Sequence, residues 1–206
     1  MAITRNGLFW LTRRIAAGMA LLLAGAAFAA PAGEGKAINI DNKSFRCLTD
    51  LTPVRHFYVD NLLGKLKETV AVAQSEKGGI YPPGSVVQLV PGEVMVKHHA
   101  GYNAATHDWE YFELDVSKDG SSIRKRGFAD VVNRFGGNCF ACHVKARPEF
   151  DSICEAGHGC DPIPVTRPMI HALQNTDPRC KSHHLTDEDH QALKQLQAAQ
   201  KAAANK

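Results

Sequence analysis

The sequence predicts an α+β domain, an antiparallel β-meander with flanking helices. Two observations predict it. Apolar residues recur at three- and four-residue steps from Val54 to Ala73, and the chain between Ser85 and Arg126 then switches to short β-branched and aromatic runs separated by Pro91-Gly92 and Asp119-Gly120. A helical period followed by a block of period-two segments segregates helix from sheet.

Residues 1–29 carry a basic start (Arg5, Arg13, Arg14), an apolar run from Ile15 to Phe28 and small residues at Ala27 and Ala29, the pattern of a secretory signal cleaved after Ala29. The run is short and rich in Ala and Gly for a membrane span. The expected address is therefore periplasmic or otherwise exported. The formal net charge of +3 resides in this segment, because the chain from Ala30 onward holds equal numbers of acidic and basic side chains. With no basic patch and interleaved aromatics, nucleic acid is not an expected partner. About 177 residues remain, enough for one domain with a core.

Residues 30–45 read as a loosely held leader with at most a short strand at Ala37 to Ile40, and the domain proper as 46–182. Thr52-Pro53 looks like a helix N-cap followed by a first-turn proline. Val54, Phe57, Tyr58, Leu62, Leu66, Val70 and Ala73 would then line one face of a five-turn helix ended by Gly78-Gly79. Ser85 to Val90, Glu93 to His99, Asp108 to Val116 and Ser122 to Arg126 read as four antiparallel strands. Ala129 to Phe135 suits a short helix before Gly136-Gly137, and the proline-rich stretch beyond His143 reads as loop. Residues 183–206 form a polar C-terminal helix and tail, opened by Thr186-Asp187-Glu188-Asp189 in the manner of a capping box.

Six cysteines divide into Cys139/Cys142 and four others. In an oxidising compartment the even remainder suggests two disulfides. Cys154 with Cys160 closes a short loop containing Gly157 and Gly159, which leaves Cys47 with Cys180.

The chemistry-bearing stretch is Cys139-Phe140-Ala141-Cys142-His143. Cys-x-x-Cys-His is the spacing that attaches a c-type haem: two thiols add to the two vinyl groups, and the adjacent imidazole becomes the proximal iron ligand. The export signal supplies the compartment in which such attachment occurs. Two other readings of the stretch are a disulfide beside a surface histidine and a zinc site shared with Cys154, His158 or Cys160. With one covalent haem c, function turns on the sixth iron position, for which Met95, His98, His99, His107, Met169 and His171 are candidates. Strand alternation puts Glu93, Met95, Lys97 and His99 on one face and Val94, Val96 and His98 on the other. On the next strand Glu110, Phe112, Leu114 and Val116 share a face, read as the core face. Glu110 would then be either an acid among apolar neighbours, with a raised pKa suited to proton relay, or a strand-end residue reaching water.

The order of these pieces, a helix, then Tyr81-Pro82-Pro83-Gly84-Ser85-Val86-Val87, a strand ending at Lys97, the strand Asp108-Trp109-Glu110-Tyr111-Phe112, and a late Cys139-Phe140-Ala141-Cys142-His143, resembles the cytochrome P-460 family, which includes the beta-type cytochromes c-prime. The resemblance covers about residues 50 to 150. It implies an antiparallel sheet with flanking helices, often a homodimer, around a five-coordinate c-type haem. Some members of that family join a lysine to the porphyrin and oxidise hydroxylamine; others lack the link and bind gases such as nitric oxide. Lys97 is the position that matches this lysine, so Lys97 and Glu110 are the candidate distal groups. The Cys-rich segment after His143 departs from the family pattern and could cover the haem edge or supply a distal ligand. The expectation is a cytochrome handling a small nitrogen-oxide or diatomic ligand, with a possible redox partner protein. The alternatives are a six-coordinate electron carrier with His/Met or bis-His ligation and a haem-free, disulfide-stapled exported protein.

Overall fold

The structure, a computed structural model, describes residues 37–161, 165–181 and 184–204. The expected signal segment, residues 30–36 of the expected leader and the last two residues lie outside the described residues. The expected class is present: a six-stranded antiparallel sheet with helices packed around it. Its strands are β1 (Thr52–Val54), β2 (Phe57–Asn61), β3 (Ser85–Val90), β4 (Glu93–Lys97), β5 (Trp109–Ser117) and β6 (Gly120–Gly127), each beside its neighbour in sequence. Helix α1 (Leu66–Gln74) is inserted between β2 and β3.

The long helix expected from Thr52 is two strands followed by a shorter helix. Phe57, Val59 and Asn61 are buried and alternate with half-buried Tyr58 and Asp60, a period of two concealed within the three- and four-residue spacing. Arg55 turns the chain in the left-handed region (φ 51°) to form the β1–β2 hairpin. Pro53 sits on the edge strand, where a missing N–H costs no ladder bond, so a Thr-Pro pair that suits a helix start serves the sheet equally well. Gly64 (φ 76°) and the Asn61 side chain, whose Oδ1 accepts the N–H groups of Leu63 and Lys65, then turn the chain into α1.

Both faces of the sheet are covered. On one, Val59, Val87, Met95, Trp109 and Tyr111 form a core with α1 and with Val131 and Ile153. On the other, Val86, Val94, Val96, Phe112 and Leu114 pack against Ile38, Ile40 and Phe45. The described part of the leader is thus held, though not as a strand: the Ile38 N–H donates to Nδ1 of His98, and Arg126 donates to the Ile40 carbonyl.

Residues 129–135 form no helix. Val131 is fully buried, and Asn133 organises a turn by accepting the N–H groups of Phe135 and Gly137 on its Oδ1. Gly136, at φ 83°, supplies the left-handed residue that this turn requires. Helix α2 (Cys139–His143) follows. The supposed loop beyond it contains α3 (Arg167–Gln174), which packs through Met169 and Ala172 on Ala192 and Leu196 of α4 (Asp187–Ala204). The capping box at the start of α4 is present, with Thr186 Oγ1 accepting the Asp189 N–H and Asp189 accepting the Thr186 N–H, both at 3.1 Å. Both expected disulfides are formed, Cys47–Cys180 and Cys154–Cys160. No described helix is long and apolar enough to cross a membrane.

Candidate functional site

The Cys-x-x-Cys-His stretch is a single helical turn with a built start. Asn138 caps it by accepting the Ala141 N–H at 2.8 Å and donates its own amide to the Ala129 carbonyl at 2.9 Å. The Cys139 N–H donates to the Val131 carbonyl, tying the turn to the buried end of the preceding loop. Positions i, i+3 and i+4 lie on one side of a helix, so Cys139, Cys142 and His143 share a face. Cys139 is half-buried, Cys142 is exposed, and both are free thiols. Burial, with the nearby carboxylates of Glu93 and Glu113, pushes the Cys139 thiol up to about 11 and keeps it protonated.

His143 turns its ring toward the sheet, 5.6 Å from that of Tyr111. Its Nδ1 lies 2.9 Å from the Ser152 carbonyl, which can only accept, so Nδ1 carries the proton and Nε2 keeps its lone pair. Burial holds its pKa below the usual histidine value, with the Ser152 hydrogen bond opposing. A neutral imidazole oriented through one nitrogen is the form in which histidine ligates a metal.

Lys97 shares this side of the sheet but is neither solvated nor free. It is 5 % exposed, its ammonium donates to both carboxylate oxygens of Asp151 at 2.8 Å and to the His107 carbonyl, and it lies 5.2 Å from the Trp109 ring centroid. Removing one partner of such a buried pair costs about 3–5 kcal/mol, because the other charge is left behind. Burial pushes the Asp151 carboxyl up, and Lys97 offsets only part of that.

Glu110 is on the opposite face and is not brought together with His143. Its carboxylate takes hydrogen bonds from Arg126 Nε at 2.6 Å and from Arg126 Nη2 and His98 Nε2 at 2.8 Å. Burial would raise its pKa, but the His98 and Arg126 hydrogen bonds outweigh it and hold the group below the usual carboxylate value. The raised pKa expected of a proton relay is therefore absent. Phe112 and Leu114 do share a buried face with Glu110. It is the other face of β5, with Trp109 and Tyr111, that meets the motif.

The candidates for a sixth ligand separate in the same way. His98 is buried on the far face with both ring nitrogens engaged, by the Ile38 N–H and by Glu110. Met169 and His171 belong to the α3–α4 pair, His171 facing Asp189. His99 lies half-buried just past β4, and His107 is exposed, its Nδ1 3.3 Å from Ser152 Oγ. Met95 is buried in the core that Cys139 and Phe140 pack against. Cys154 and Cys160 are joined, so the thiolates of a shared zinc site are absent, and no cluster of three or more metal-binding side chains exists among the described residues.

The donor set has the chemistry that a covalent haem requires: two free thiols, an imidazole with Nε2 available, and exposed apolar Val132, Phe135 and Val144 around them. The Tyr111 hydroxyl adds an independent sign. Among the described residues it has no hydrogen-bond partner although Tyr111 is 1 % exposed, and burial pushes its pKa up, with the charges of Cys139, Asp151 and Cys142 adding to that rise. A buried polar atom left unpaired beside Cys139 and Cys142 is a group waiting for a partner.

Tyr111, Asp151 and Ser152 were not singled out by sequence. Tyr111 stands in the aromatic strand and alternates with Phe112, so either could have faced the site. Asp151 and Ser152 are consecutive residues in the left-handed region, at φ 50° and 67°. Each costs about 1–3 kcal/mol and persists only where its surroundings over-determine it. No family model, curated protein or solved structure matches the chain.

Proposed function

We propose that the chain is an exported monohaem c-type cytochrome of the cytochrome P-460 type that binds a small nitrogen-oxide or diatomic ligand at an open iron position. Cys139 and Cys142 hold the haem covalently and His143 is the proximal ligand. The observation that carries this reading is the division of the six cysteines: four close disulfides and the two of the haem-attachment spacing stay free, one helical turn from an imidazole whose Nδ1 is already committed. The bound haem supplies a redox-active iron with an exchangeable sixth position. The protein's part is to anchor the ring through two thiols, keep His143 neutral and aimed, and provide an apolar surface that limits water.

The open position is supported by where three of the six candidates lie. His98, Met169 and His171 are spent on contacts away from the motif face. Ligand binding is favoured over hydroxylamine oxidation because the matching lysine, Lys97, has its ammonium engaged by Asp151 and the His107 carbonyl.

A haem stain on a denaturing gel tests covalent attachment, since only covalent haem survives there. The ferrous visible spectrum with carbon monoxide or nitric oxide tests the open site. A stained band whose spectrum shifts on adding either gas is expected. A six-coordinate, low-spin spectrum indifferent to both would replace this reading with the electron carrier, and an unstained band would remove haem altogether. The mass of the exported chain locates signal cleavage, expected after Ala29.

A further inference from the structure

We infer that Lys97 and Asp151 are positioning residues for His143, acting from the proximal side: their ion pair pins the backbone turn whose next carbonyl, that of Ser152, orients the imidazole. The inference rests on the haem reading and moves Lys97 from the distal to the proximal side.

The chain of contacts is continuous. His143 Nδ1 is held by the Ser152 carbonyl at 2.9 Å, and where that carbonyl points is set by the backbone of Asp151 and Ser152. Both residues occupy the left-handed region, which non-glycine side chains avoid. Four hydrogen bonds hold Asp151 in it. Lys97 Nζ donates to both carboxylate oxygens at 2.8 Å, the Tyr81 N–H donates to Oδ2 at 2.9 Å, and Trp109 Nε1 donates to the Asp151 carbonyl at 2.7 Å. Ser152 is held in turn through its Oγ, 3.3 Å from His107 Nδ1, and the His107 carbonyl accepts from Lys97. Strands β4 and β5, through Lys97 and Trp109, thereby hold the residue that precedes the one carbonyl on which His143 rests. No sequence-local interaction reaches across these separations: Lys97 and Asp151 are 54 positions apart.

The pair also has an electrostatic consequence. Lys97 and Asp151 are 5 % and 2 % exposed, so their charges are little screened by solvent and cancel only because they are together. In alkaline solution, where the buried Asp151 stays ionised without its cation, Lys97→Met leaves a carboxylate near the iron's ligand, which favours the ferric state. Asp151→Asn leaves an ammonium, which favours the ferrous state. The two variants perturb the same iron in opposite directions, which loss of packing alone does not do.

The test uses the haem-loaded chain and three variants, Lys97→Met, Asp151→Asn and the double variant, each checked first by haem stain. Each variant is compared with the parent at the same pH: the reduction midpoint is expected to fall in Lys97→Met in alkaline solution, where Asp151 is ionised, and to rise in Asp151→Asn at neutral pH. In the double variant it is expected to return toward the parent, while the iron–histidine stretch in the resonance Raman spectrum stays displaced because the turn is no longer pinned. The double variant introduces no unpaired charge, so it carries the test if either single variant fails to fold. Midpoints that stay put or move together, or an unmoved iron–histidine stretch in the double variant, overturn the positioning role while leaving the haem reading intact. A third covalent link through Lys97, seen in the mass of the parent haem peptide, also overturns it, since a linked lysine cannot hold Asp151. A parent chain without a haem-stained band overturns the reading beneath it instead.

Discussion

Removing the Cys47–Cys180 disulfide is expected to cost more than twice the stability lost on removing Cys154–Cys160. The first closes a loop with a sequence separation of 133, the second one of 6. Loop-closure entropy makes the long bridge worth about 5 kcal/mol and the short one about 2 kcal/mol. Spread over an unfolding entropy of about 2.1 cal/mol/K per residue, these correspond to losses of about 14 °C and about 6 °C in Tm. The long bridge is also where the N-terminal segment and the chain after α3 meet: the Leu48 N–H donates to Asp177, which is gripped by Arg179. The variants are Cys47→Ala/Cys180→Ala and Cys154→Ala/Cys160→Ala, compared by denaturant and thermal unfolding under non-reducing conditions. Both leave Cys139 and Cys142 unaltered, so the proposed attachment motif is the same in each. Equal losses, or a larger loss from the short loop, would refute the chain-entropy argument and place the stabilisation in local contacts such as the close packing of Gly159 on Phe150.

Two further outcomes concern the two faces of β5. In a Cys139→Ala/Cys142→Ala background, where the proposed attachment is impossible, Tyr111→Phe removes a buried hydroxyl that has no partner among the described residues and is expected to raise stability by about 1 kcal/mol in denaturant unfolding; a comparable loss would mean that the hydroxyl is already satisfied within the protein. On the other face, the lowered pKa of Glu110 gives a pH-dependent contribution of definite sign: it is fully present above the ordinary glutamate value near 4.5 and is lost as pH falls through the lower folded value. The stability gap between the parent and Glu110→Gln should therefore be widest near neutral pH and shrink in acid, and a gap that widens in acid would contradict the Arg126 and His98 pairing.

The parts of this protein that the sequence determined are those written over short distances or by elimination. Cys139, Cys142 and His143 share a helical face because their spacing makes any helix put them there. The β3 to β6 runs were legible because period-two alternation and Pro-Gly or Asp-Gly turns agree. The disulfides were legible once Cys154 and Cys160 were recognised as neighbours. Where local signals were ambiguous, pairing decided: Phe57 to Asn61 satisfies a helical period and a strand period at once, and hydrogen bonding to β3 selects the strand. Alternation states which residues share a face but not what covers that face. Because both faces of β5 are apolar, nothing local said that Tyr111, rather than Glu110, would look toward His143. Nor could it show that Lys97 would meet Asp151, or that two consecutive left-handed residues would present the carbonyl on which the imidazole rests. Those are decisions of tertiary structure, because a buried charge or an unfavourable backbone conformation is tolerated only where distant parts of the chain converge to hold it.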